Sequence, residues 1–128
     1  MKRAETLGGD VVLEDRGTYL HIYHRRSARD LEEAQQVLDA MDRAIGEWGH
    51  QDLLFDSRDS DLSSREVGDR VWAWLSQHSS LRRVATLVKS ELLAQSINMG
   101  GISKRVRIRG FHEEAAAIEW LTTGKRSS

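Results

Sequence analysis

The segment Asp52-Leu53-Leu54-Phe55-Asp56 constrains the fold of this chain more than any other stretch. Continuous apolar runs of this length are typical of parallel strands that helices cover on both faces. We therefore predict a buried central strand over residues 52–56 that emerges into solvent at Asp56. In an open parallel sheet, ligands and partners meet the carboxyl ends of the strands, so the loop from Asp56 to Ser64 is the first place to look for a functional site.

Apolar patterns along the rest of the chain predict four further strands and four helices. Residues 11–13 and 19–23 are two strand-like runs joined by a short polar segment that contains a glycine, which favours an antiparallel hairpin. Residues 83–88 form a second continuous apolar strand, and residues 104–109 alternate, with their arginines on one face. Capping residues and apolar residues at three- and four-residue spacing predict helices that begin near Ser27, at Ser63 or Ser64, at Ser90 and at His112.

The predicted element order is β-β-α-β-α-β-α-β-α, which is an α/β fold. It has four mostly parallel strands plus an antiparallel N-terminal edge strand, because strands joined through helices run parallel with right-handed crossovers. This winding places the helices mainly on one face and leaves the arginine side of the last strand in solvent. We expect residues 1–9 to be a flexible lead-in, residues 10–122 a single domain and residues 123–128 a loose tail.

Composition narrows the classes of function. The chain has no cysteine, which excludes disulfides and thiolate metal sites and suits a reducing cytoplasm. No apolar segment reaches the length of a signal peptide or a membrane span, so we expect a cytoplasmic protein that does not act in a membrane. Residues 1–80 carry 10 Lys and Arg against 16 Asp and Glu, whereas residues 81–128 carry 9 against 4. This polarity favours contact with another charged surface, including a second copy of the chain, but aromatic residues do not interleave with the arginines as in nucleic-acid binding.

The end of the chain carries the most specific pattern. The last predicted strand closes on Phe111, an acidic pair follows, and the helix finishes with Ala117-Ile118-Glu119-Trp120-Leu121. Together with the element order and the strand at 52–56, this pattern resembles the SpoIIAA-like branch of the STAS fold, a group of small bacterial proteins. The resemblance implies a regulatory role, because STAS domains bind partner proteins, often a kinase or an anti-sigma factor, and some bind small ligands.

The resemblance also implies a phosphorylatable serine in an Asp-Ser-Ser-Gly type turn at the start of the second helix. The matching place reads Asp61-Leu62-Ser63-Ser64-Arg65, which lacks the glycine and lies closer to Asp56 than the family pattern requires. Ser63 and Ser64 are therefore candidate phosphosites, since a phosphate there would meet the helix dipole and free amides. The alternative is that either serine simply caps the helix.

From these observations we expect a non-enzymatic regulatory or protein-interaction module that works as a homodimer. It would bind a protein partner such as a kinase, and we expect no cofactor, nucleic acid or membrane. The predicted partner-binding residues lie in the loop after the central strand and at the start of the second helix: Asp56, Ser57, Arg58, Asp61 and Arg65. The alternating row of the last strand forms a basic face that is suited to solvent or to an acidic partner, namely Arg105, Arg107 and Arg109.

The same residues allow other interpretations. The runner-up function is a carrier of a small apolar or anionic molecule in a cavity lined by Tyr19, Tyr23 and Trp72. Asp56 is also similar to the phospho-accepting aspartates of receiver domains, but the carboxylates and lysine that such sites need are missing, so loop hydrogen bonding is the better interpretation. No metal site is predicted, because the histidines are scattered: His21 and His24, for example, lie on opposite faces of one strand and cannot chelate together.

Overall fold

The computed structural model describes residues 2–61, 63–100 and 107–124, and at Met99 and Arg107 only the backbone is described. The strands are β1 (Arg3–Thr6), β2 (Val11–Asp15), β3 (Leu20–His24), β4 (Asp52–Asp56), β5 (Arg83–Leu87) and β6 (Arg107–Phe111). The helices are α1 (Leu31–Trp48), α2 (Arg65–Gln77), α3 (Glu91–Gly100) and α4 (Glu114–Thr123), and one 3₁₀ turn spans Leu7–Gly9. Within these residues, no helix combines the length and the apolar character needed to cross a membrane.

The six strands form one mixed sheet whose spatial order is the same as their order in the sequence. β1, β2 and β3 pair antiparallel, and β3, β4, β5 and β6 pair parallel. The predicted α/β fold and its β-β-α-β-α-β-α-β-α order are confirmed, with one strand added at the start. The central strand β4 has the predicted bounds.

The added strand corrects the prediction that residues 1–9 are a flexible lead-in. Arg3–Thr6 pairs with β2 in a register that sets Ala4 opposite Leu13. Ala4 and Leu7 then pack against the main core, while Arg3 and Glu5 stay exposed. The strand is hard to recognise in the sequence, because Ala4 and Leu7 are the residues of this segment that pack against the core and the rest resembles a polar tail.

The winding of the chain decides which face of the sheet each helix covers. Strands laid down in sequential order and joined by right-handed crossovers carry α1, α2 and α3 to one face, and α4, which follows the last strand, packs on the other. Alternate residues of β4 separate accordingly: Leu53 belongs to the core under α1 and α2, and Leu54 to the core under α4. Both are at most 1% exposed, as expected for a strand covered on both faces.

The ends of the elements differ from the predicted ends by a few residues. α1 is capped by Asp30, whose Oδ1 accepts a hydrogen bond from the Glu33 amide at 2.9 Å, and it does not begin near Ser27. The helix also continues through Gly46. It ends at Gly49, whose left-handed conformation (φ 74°) glycine adopts at little cost. The last strand and the last helix each end two residues later than predicted, and the predicted start of that strand at 104–106 lies outside the described residues.

The exposed edge of the sheet is closed by α3. The side-chain amide of Asn98 donates to the Gly110 carbonyl at 3.2 Å, and its Oδ1 accepts from the Gly110 amide at 2.7 Å. Asn98 therefore hydrogen-bonds β6 as a further strand would, which protects an otherwise unpaired edge. The approach is close: a Cβ on Gly110 would lie 2.7 Å from the Ala94 carbonyl oxygen.

We predict that Gly110→Ala lowers the free energy of unfolding by about 1–3 kcal/mol, because the backbone of α3 would have to move. Gly46→Ala is the matched control, since a Cβ there meets no atom within 4 Å and alanine favours the helix. Urea denaturation of both variants measures the difference. Equal stability of the two variants would show that α3 is not packed tightly on β6.

Candidate functional site

A cavity of about 720 Å³ lies between the sheet and the helices α1, α2 and α3. Its interior is apolar and draws on both layers, with contributions that include Met41, Phe55, Val71, Leu75, Leu93 and Ile108. Protein interiors contain few voids larger than a water molecule, so a space of this size is not ordinary packing. It falls within the range of volumes found for small-molecule sites, roughly 300–1,000 Å³.

The cavity exists because the three helices on this face do not cover the sheet evenly. α1 packs against α2 and against the N-terminal strands, whereas α3 packs mainly against β6. The apolar side chains of α2 that face the sheet therefore line a gap above β4 and β5. Trp72, predicted to line a ligand cavity, does lie on its wall, and it is 40% exposed.

The polar part of the lining comes from the segments that follow β3, β4 and β5. His24 ends β3, Ser57 follows β4, and Lys89 lies two residues beyond β5. Pairing of Tyr23 with Asp56 and of Asp56 with Leu87 places the residues at these strand ends side by side. The polar end of the cavity is thus at the carboxyl edge of the parallel strands, where the sequence predicted a site.

His24 is the most unusual polar group on the lining. Its Nδ1 is buried and has no hydrogen-bond partner of normal geometry among the described residues, and its ring stands against Phe55 with the ring centroids 6.3 Å apart. Burial lowers the pKa of its imidazole to about 4, and the Ile22 backbone and the charge of Asp56 oppose this shift without cancelling it. The ring is therefore neutral near pH 7, and an unsatisfied buried nitrogen costs free energy.

The prediction that the chain emerges into solvent at Asp56 is wrong. Its side chain points to the face of the sheet opposite the cavity and is buried there. It is 2% exposed, and its oxygens accept hydrogen bonds from His21 Nε2 at 3.1 Å and from Arg58 at 2.8 and 3.0 Å. Burial alone would raise the pKa of this carboxyl, but the bonds from His21 and Arg58 outweigh it and hold the pKa well below its usual value. The loop hydrogen bonding predicted for Asp56 is present, including a contact from the Arg58 amide at 3.4 Å.

The other predicted partner-binding residues are divided between the two faces. Ser57 and Asp61 line the cavity. Arg58 bridges Asp56 and Glu114 on the α4 face, and Arg65 is exposed on α2 with Asp69 3.9 Å away. Partner binding through this set stays a prediction.

Of the two candidate phosphosites, Ser64 caps α2, since its Oγ accepts a hydrogen bond from the Val67 amide at 3.3 Å. Ser63 lies on the cavity lining. In the predicted basic row, Arg105 lies outside the described residues and the side chain of Arg107 is not described. Arg109 is half-buried over the ring of Trp120, so the α4 face of β6 is covered at this position and not left in solvent.

The predicted cavity lining was wrong for both tyrosines. Tyr19 is buried in the core under α4. Tyr23 points to that same face, where its hydroxyl donates to Asp59 at 2.5 Å. His24 was missed as a lining residue, although the alternation along β3 places it opposite these tyrosines and His21.

Comparison with known proteins agrees with this architecture. The sequence model of the SpoIIAA-like family matches residues 22–122. The chain belongs to the SpoIIAA-like family. A crystal structure of an uncharacterised protein with a SpoIIAA-like fold from Shewanella loihica PV-4 is similar, with a TM-score of 0.66 and 19% sequence identity over 87% of this chain and 91% of that one. No curated protein matches the chain.

This likeness confirms the predicted STAS-type fold, and at 19% identity it shows the fold alone. The six-stranded mixed sheet and four helices are the SpoIIAA-like arrangement. Among the residues that the structure describes, no three His, Asp or Glu side chains are grouped so that they could hold a metal ion.

We predict that His24→Phe raises the free energy of unfolding by about 1 kcal/mol, because it removes a buried nitrogen that has no partner of normal geometry among the described residues. His50→Phe is the matched comparison: His50 is also buried, but its Nε2 bonds the Asp15 carboxylate at 2.9 Å, so the same change should cost about 1–3 kcal/mol. Chemical denaturation of both variants measures the two signs. Loss of stability in both would mean that His24 has a structural partner.

We also predict a specific pH dependence. The folded protein holds His24 at a pKa of about 4, below the ordinary value of 6.5, so the unfolded chain binds more protons between these values. Stability should therefore fall as the pH is lowered from about 6.5 to about 4, and the fall should be smaller in His24→Phe. Melting temperatures of wild type and variant across this range test the difference, and parallel curves would contradict it.

Proposed function

We propose that this protein binds a small, predominantly apolar molecule in the cavity between its sheet and α1–α3, and carries it without changing it chemically. The observation that supports the proposal is the cavity itself, a space of about 720 Å³ with an apolar wall and a few polar groups at one end. Sites for small molecules commonly combine an apolar wall with a small number of polar groups that fix orientation. The runner-up hypothesis from the sequence thereby becomes the first candidate.

The polar groups on the lining support binding more than catalysis. A nucleophilic serine needs a base within hydrogen-bond reach, and that base is in turn oriented by a third group. Four serines line the cavity with His24, but none of them is hydrogen-bonded to it within the described part of the chain. The buried carboxylate of Asp56 orients His21 on the opposite face instead.

Binding of a regulatory protein partner is the second candidate. Among the described residues, two large apolar side chains are exposed on the helices that border the cavity, Leu92 at 75% and Trp72 at 40%. Exposed aromatic and apolar side chains of this kind favour a contact with another protein. The predicted homodimer and a partner such as a kinase belong to this candidate.

A substitution that closes the cavity tests the first candidate. Gly68 lies on α2 at the cavity lining, and a Cβ there meets no atom within 4 Å, so a leucine side chain has room to enter. We expect wild type to bind the neutral dye Nile red, and Gly68→Leu to weaken that binding by roughly tenfold or more. Gly46→Leu, an equally unobstructed glycine on the outer side of α1, should bind as wild type does.

Native mass spectrometry of protein from its own cells provides a second readout. A co-purifying small molecule that is present on wild type and Gly46→Leu and absent from Gly68→Leu supports the carrier function. Equal dye binding by all three proteins would contradict it. A partner protein whose binding is lost in Leu92→Ala should still bind Gly68→Leu, so the two variants separate the two candidates.

A further inference from the structure

The polar end of the cavity brings together three residues with different chemistry. β3, β4 and β5 are neighbours in the sheet, so Ser57 lies between His24 on one side and Val88 on the other. Lys89 follows Val88 directly in the chain. Two strand spacings, about 10 Å, separate the outer members of this row. A single head group seated over Ser57 can therefore reach both neighbours.

Lys89 is the cation of this row, and the structure gives its ammonium no ion pair within the described residues. His24 is a neutral ring whose Nδ1 has no partner of normal geometry. The Ser57 amide is already used, since it donates to the Leu87 carbonyl at 2.8 Å, so the serine contributes its hydroxyl. These are an unpaired positive charge and hydrogen-bonding groups of either polarity, which together favour an acceptor that carries negative charge.

The surrounding helices also favour an anionic ligand. α1, α2 and α3 all begin at this edge of the sheet, and Ser64 and Ser90 cap the latter two through the Val67 and Leu93 amides. The N-terminus of a helix carries a partial positive charge that stabilises a nearby anion. Val67 and Leu93 also line the cavity, so the first turns of two of these helices border it.

One acidic residue on the lining disfavours an anionic ligand. Asp61 is on the lining, where its carbonyl accepts a hydrogen bond from the Ser27 hydroxyl. Its side chain is exposed to solvent, as is that of Lys89, so solvent screens both of these charges. An amine would pair with Asp61 but would face Lys89 and the helix ends, so the balance favours an acid.

We propose that the ligand is an amphipathic acid, with its anionic head group held by His24, Ser57 and Lys89 and its apolar body in the cavity. This inference rests on the proposed carrier function and names the chemical class of the cargo. Single-chain carboxylic acids are the simplest members of that class. The carboxylate of such an acid would occupy the polar end of the cavity, and its hydrocarbon chain would contact the apolar wall.

Displacement of Nile red by three probes of equal chain length tests the head group: dodecanoic acid, dodecanol and dodecylamine, near pH 7 and below the concentration at which they form micelles. We expect the acid to bind roughly tenfold more tightly than the alcohol, and the amine to be the weakest. Lys89→Met should remove the preference for the acid, so that the acid and the alcohol displace the dye equally well. Lys2→Met, the same change at an exposed lysine away from the cavity, should keep the preference.

His24→Phe provides an independent readout. It should weaken both the acid and the alcohol by roughly fivefold or more, because both use the ring nitrogen, while dye binding persists. Asp61→Asn should strengthen the acid, since it removes a like charge. Opposite results at either position overturn the assignment of that residue.

The outcomes separate this inference from the carrier function. If Nile red binds and the alcohol displaces it as well as the acid does, the cavity function stands and the acidic head group is wrong. Tightest binding of the amine, or an acid preference that survives Lys89→Met, also overturns the inference. If neither the dye nor any probe binds wild type, the carrier function itself is wrong.

Discussion

The sequential order of the parallel strands is the constraint on which the rest of this structure depends. Four strands that follow one another across the sheet, each joined to the next by a right-handed crossover, place three helices on the same face. The same winding sets the beginning of each helix beside the carboxyl end of the preceding strand. One edge of one face thereby collects the loops, the helix N-termini and the space between the helices.

Two histidines of β3, on opposite faces of the sheet, satisfy their ring nitrogens in different ways. His21 faces α4 and bonds the buried carboxylate of Asp56, which Arg58 also holds. His24, three residues further on, faces the cavity, and its Nδ1 finds no partner in the part of the chain that the structure describes. Because both are on one strand, the difference arises from the layer that covers each face and not from the residue type.

An open cavity and a buried nitrogen that no described residue bonds both lower stability, so their presence on the same face needs a reason. Packing the space with larger side chains would gain dispersion contacts, and an apolar ring at position 24 would remove a desolvation penalty. Proteins keep such unfavourable features where function uses them. A ligand that fills the space and bonds the nitrogen would recover both contributions when it binds.

The sequence by itself determined the elements whose signal is local. The apolar run between two aspartates predicted β4 to the residue, Ser64 was one of two predicted caps of α2, and the segment from Phe111 to Leu121 carried the likeness to the SpoIIAA-like family. Periodicity and capping depend on residues within one turn or one strand, so they can be recognised without the fold. Tertiary structure alone decided the rest: the pairing of β1, the burial of Asp56 and the cavity. Each of these depends on how distant segments meet, since Asp56 is buried by His21 from another strand and the cavity is the space that three separately predicted helices leave between them.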